Sequence, residues 1–77
     1  MLVADKIQSM DFSEKIAKNM EKRRKLLGLS LEKLSKNADL SVSVINKLKS
    51  GDSKNIRAET LYKLSLALKC AMDELVE

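Results

Sequence analysis

The chain has 77 residues, with one Cys, no His, no Pro and a formal charge of +4. That length fits one small domain, whose single core yields only about 3 to 5 kcal/mol net, so a partner subunit is a natural support. One Cys excludes a disulfide framework, and without His or a second Cys no metal or cofactor is expected. Neither a nucleophile beside a base nor a glycine-rich phosphate loop occurs, so no catalysis is expected.

Gly stands only at positions 28 and 51, aromatics only at Phe12 and Tyr62, and Leu, Lys, Glu, Ser and Ala dominate, which predicts an all-α fold. Charge is unevenly spread. From Lys15 to Arg57 twelve Lys/Arg face four acids, a net +8, while residues 1–14 and 58–77 each carry −2. A basic middle between acidic ends points to a localised polyanion-facing surface or to an ordinary lysine-rich exterior. The apolar runs fall far short of a membrane span, and Asp5 stands where a leader would be basic. A soluble cytoplasmic protein without a membrane partner is the expectation.

Residues 1–10 hold Leu2, Val3 and Ile7 without clear periodicity and are taken as an N-terminal arm, frayed or docked on a partner, ahead of a domain over 11–77. Asp11 and Glu14 suit the cap of a first helix starting near Phe12. Ile16, Ala17, Met20 and Leu27 trace its apolar face, and Gly28 ends it in a left-handed conformation. Ser30 caps a second, two-turn helix with Leu31, Leu34, Ser35 and Ala38 on one side. Asp39 and Leu40 form the turn, where apolar Leu40 is expected to plug the core.

Ser41 caps the third helix. Val44, Ile45 and Leu48 form a narrow apolar stripe, whereas Asn46, Ser50, Ser43 and Lys47 lie about 100° to 200° from Ile45. Asn, Lys and Ser are side-chain types that read major-groove edges, and they are equally at home on a solvated helix back. Gly51 closes the helix. Lys54 and Arg57 flank the start of a fourth helix and, with its unsatisfied N–H groups, offer a phosphate seat. Leu61, Leu64, Ser65 and Leu68 form the inward side of that helix. Tyr62 and Leu66 are left over, either as a dimer contact or as cover for the core edge. Cys70 reads as a small buried hydrophobe, and a last turn near Met72 to Val76 supplies Met72 and Leu75.

Ile16 to Leu75 resembles the lambda-repressor-like helix-turn-helix domain of the Xre/Cro type. Gly28-Leu29-Ser30, Leu34-Ser35 with Ala38, Leu40-Ser41, Ile45, Leu48, Gly51, and Thr60-Leu61 through Leu64 to Ala67-Leu68 carry the resemblance. It implies a compact five-helix domain whose third helix enters the major groove while the second lies across the backbone. Base-reading positions then fall on Val42, Ser43, Asn46 and Lys47. Phosphate contacts fall on Ser30 and on Lys54, Asn55 and Arg57. Three departures stand out. Leu31 occupies a position where Gln usually grips phosphate, leaving Lys33 to replace that contact. Asp39 replaces the usual turn Gly. Arg24 and Lys49 are both cationic where an Arg and Glu commonly pair, so one must find Glu21, Asp52 or solvent.

The expected function is a sequence-specific transcriptional regulator, a repressor acting as a homodimer on double-stranded DNA over a near-palindromic operator, with no small-molecule effector. The competing readings are a protein-interaction or antitoxin-like accessory module on the same fold, and a nonspecific nucleic-acid coat.

Overall fold

The computed structural model describes residues 12–53 and 55–77. The expected cap Asp11, the arm 1–10 and the phosphate candidate Lys54 lie outside the described residues. Five helices and no strand occur among the described residues: α1 (Phe12–Leu26), α2 (Leu31–Ala38), α3 (Val42–Ser50), α4 (Ala58–Ala67) and α5 (Met72–Val76). The fold is all-α, as its composition predicts.

Each helix buries one side, at helical spacing. α1 turns Ser13, Ile16, Ala17 and Met20 inward, positions three and four apart that share one face. α2 contributes Leu34, Ser35 and Ala38, α3 contributes Ile45 and Leu48, and α4 contributes Leu64, Ser65 and Ala67. Leu68 and, from α5, Leu75 complete the buried set. α1 packs against α3 and α5, α2 against α3 and α4, and α4 against α5. None of these helices is long enough to persist alone, so this shared core holds all five.

One expectation is corrected. Val44, read as part of the inward stripe of α3, is 37% exposed. α3 packs on α1 and α2 with Ile45 and Leu48 buried, and Val44 is left at the edge of the buried side. Ala67 joins the core beyond the expected inward set of Leu61, Leu64, Ser65 and Leu68, and Met72 is only half-buried.

Three helices end by the same device. After α1, Leu29 N–H donates to Arg24 O and Gly28 N–H to Lys25 O; after α2, Leu40 N–H donates to Ser35 O and Asp39 N–H to Lys36 O; after α4, Cys70 N–H donates to Ser65 O and Lys69 N–H to Leu66 O. This paired pattern requires a left-handed residue and is commonly accompanied by an apolar one that folds back on the helix. Gly28, Asp39 and Lys69 take the left-handed positions, with φ of 69°, 55° and 56°. Leu29, Leu40 and Cys70 follow them, and all three pack against the core. Leu40 is thus the expected plug, and Cys70 owes its place to the same motif. Cys70 is half-buried rather than fully buried, and that burial raises its thiol pKa above the ordinary value.

Two side chains of α1 tie the ends of the chain together. Asn19 Nδ2 donates to Leu75 O at 2.8 Å. Arg23 donates to Leu68 O through Nε and Nη2 at 3.3 and 3.0 Å, and to Lys69 O through Nη2 at 2.8 Å. A guanidinium therefore satisfies carbonyls that the end of α4 leaves without partners.

Candidate nucleic-acid interface

The helix-turn-helix unit is α2, the turn at Asp39 and Leu40, and α3. Each of its helices starts on a serine cap: Lys33 N–H donates to Ser30 Oγ at 3.0 Å and Val44 N–H to Ser41 Oγ at 3.1 Å. The turn between them is fixed from inside, because buried Ser35 donates its hydroxyl to Leu40 O. From outside, Lys63 of α4 lies 3.6 Å from the Asp39 carboxylate. Rotation of α3 about its axis is set by Ile45 and Leu48, 0% and 3% exposed.

With those two side chains inside, Val42, Ser43, Asn46 and Lys47 are all exposed, the placement the sequence assigns to base reading. The first turn of α3 carries no acid and its last turn carries Lys47 and Lys49, so the exposed face has no charge that repels phosphate. Ser30, Lys33 and Lys36 of the α2 side share a shallow cleft with Val42 and with one acid, Glu32. That cleft joins the expected phosphate contacts at the start of α2 to the start of the reading helix. Lys36, also exposed, belongs to the cleft although the sequence marks it only as part of a polar helix back.

Asn55 and Arg57 are exposed ahead of α4. Arg57 occupies the N-cap position in extended conformation and makes no side-chain capping bond, so the first N–H groups of α4 receive no side-chain acceptor from it. This leaves donors and positive partial charge facing outward beside its guanidinium. Tyr62 and Leu66, the dimer candidates, are 55% and 60% exposed on α4.

The departures at Leu31, Arg24 and Lys49 are accommodated locally. Leu31 is half-buried and packs on the core, which replaces a polar grip by apolar area. Arg24 turns to its own helix: Nε and Nη2 donate to the Glu21 carboxylate, both at 2.8 Å, and Nη1 donates to Leu29 O at 2.7 Å. Hydrogen bonding from Arg24, aided by its charge and by those of Lys49 and Lys25, holds the Glu21 carboxyl below its ordinary pKa of 4.5. Glu21 thus stands between the two cations and does for Arg24 what an acid at position 49 would otherwise do. Both arginines of the Lys22-Arg23-Arg24-Lys25 run are structural, a division their charges alone do not reveal.

A helix-turn-helix family model matches residues 20–75, nearly three quarters of the chain. The chain belongs to this helix-turn-helix family. Its type is the lambda-repressor-like, Xre class, an all-α DNA-binding regulatory family that is generally non-enzymatic. No curated protein and no solved structure matches the chain significantly. No helix among the described residues is long and apolar enough to cross a membrane. The matched span of this helix-turn-helix domain contains every interface residue named above, from Ser30 to Leu66.

Proposed function

We propose that this helix-turn-helix protein is a sequence-specific transcriptional repressor that reads the major groove with α3 as a homodimer. One observation carries the reading. Val42, Ser43, Asn46 and Lys47 lie exposed on a helix fixed in rotation by Ile45 and Leu48 and bearing no acid in its first turn. Asn46 suits adenine, Lys47 suits guanine, Ser43 serves either, and Val42 suits a thymine methyl. Ser30, Lys33, Lys54, Asn55 and Arg57 position the helix on the backbone without reading sequence. Two copies joined through Tyr62 and Leu66 present two such helices about 34 Å apart, to a nearly palindromic operator whose occupancy blocks transcription.

Selection from random duplexes tests this directly. A defined motif with two half-sites is the expected result, and enrichment no better than background refutes specific reading. With about four phosphates neutralised per protomer within the segment that α3 reads, dimer binding to that segment should fall with a log-log salt slope of about −7. The turning of Leu31 into the core, where it offers phosphate no donor, favours a second reading as a protein-interaction module on the same fold. That reading predicts background enrichment together with a stable complex with another protein.

A further inference from the structure

A second basic surface lies outside the reading face. Lys18, Lys22 and Lys25 of α1 form one wall of a groove whose other wall is Lys49, Ser50 and Gly51 at the end of α3. The two helices meet closely there: a Cβ built on Gly51 would lie 3.7 Å from Glu14 Cγ and 3.9 Å from Ala17 Cβ. All four lysines are exposed, and none makes an ion pair among the described residues. Of the two acids lining the groove, Glu21 is occupied by Arg24 at 2.8 Å, which leaves Glu14 as the opposing charge.

We infer that this α1–α3 groove seats the phosphate backbone of the same duplex, beyond the segment that α3 reads. The inference rests on the DNA-binding reading and extends it to residues outside the helix-turn-helix unit. Three features favour a phosphate strand. The groove is continuous with the reading face, because Ser50 belongs both to its wall and to the polar arc that holds Ser43 and Asn46. Positions 18, 22 and 25 share one face of α1 and span about 10 Å along its axis at 1.5 Å per residue. Phosphates of one strand follow each other at about 3.4 Å of duplex axis, so a span of this length reaches more than one of them. Finally, the lining is lysine-rich, with Ala17 as its sole apolar side chain. Flexible point charges suit phosphates, whereas a bound peptide would want apolar anchors.

The test compares the wild type with Lys18→Gln/Lys22→Gln/Lys25→Gln and with the triple Lys→Arg variant. Each is titrated with salt on a long duplex and on one trimmed to the read segment, using a selected motif and a random sequence. The wild-type slope should be steeper on the long duplex. The Gln variant should lose a slope of about 3 per protomer, one per lysine, on both long sequences, and should keep the wild-type motif preference. The Arg variant should keep the wild-type slope. Equal slopes for wild type and the Gln variant overturn the inference, as does loss of slope in the Arg variant. Competition by polyglutamate stronger than by an equal charge of random duplex overturns it too and assigns the groove to an acidic protein. If no motif can be selected, the reading of α3 fails, while the slopes on random duplex still decide the groove.

Discussion

Glu21 shows how one side chain settles a conflict written into the sequence. Arg24 and Lys49 would repel across the α1–α3 contact, and the Glu21 carboxylate, bound by both Arg24 Nε and Nη2, takes up Arg24 while the charge of Lys49 also favours its ionised form. Its folded pKa lies below its unfolded value. The stabilisation is therefore complete above about pH 4.5 and disappears as pH falls through the lowered folded value. Glu21→Gln should cost about 1 kcal/mol at pH 7, discounted for solvent screening, and the cost should vanish in acid. Thermal melts of both proteins from pH 7 to pH 3 would show this as converging transitions, and a constant gap would contradict it. Lys69 makes the opposite case. Held at φ 56° without a glycine's freedom, it stores backbone strain, so Lys69→Gly should raise stability by up to about 1 kcal/mol, or a few degrees in Tm.

Among the elements, α1 does more than close the core. Its Arg23 fork holds the carbonyls at the end of α4 with three donated hydrogen bonds. Arg23→Ala should therefore cost about 2 kcal/mol in denaturant unfolding. Arg23→Lys should recover little, since an ammonium cannot reproduce the fork. Neither change should alter base preference, because the residue is engaged far from the reading face. α3 behaves differently: Asn46→Ala and Lys47→Ala should abolish discrimination between selected and random duplexes while unfolding at nearly the wild-type temperature. Arg57→Ala should weaken binding to all sequences alike and reduce the salt slope by about 1. Equal losses on specific and random DNA from all three would remove the base-reading role. On α4, Leu66→Glu combined with Tyr62→Glu should shift sedimentation toward the monomer and leave the fold intact, since both side chains already face outward. An unchanged oligomeric state would move the dimer contact elsewhere.

At the scale of the whole molecule, the basic middle of the chain resolves into three populations. Arg23 and Arg24 are consumed by structure, Lys33, Lys36, Lys47 and Arg57 stand exposed on α2, on α3 and ahead of α4, and Lys18, Lys22, Lys25 and Lys49 line the second groove. On the proposed function, this arrangement would combine a small base-specific contact with a wider electrostatic one, the wider bringing the protein to DNA and the smaller selecting where it stays.

The order of helices, their serine caps, the end at Gly28 and the exposure of Ser43, Asn46 and Lys47 were legible in the sequence, because each depends on neighbours within about one helical turn. The turn at Asp39 and the inward Leu40 were legible for the same reason. The sequence left other choices to the tertiary structure. It could not divide the Lys22-Arg23-Arg24-Lys25 run into structural arginines and free lysines, since Arg23 finds its acceptors 45 and 46 residues away. It set Val44 inward by periodicity, whereas the positions of α1 and α2 around α3 leave that side chain at the rim. Local sequence decides where helices begin, end and turn their apolar side; packing decides how wide that side must be and which charges remain for a ligand.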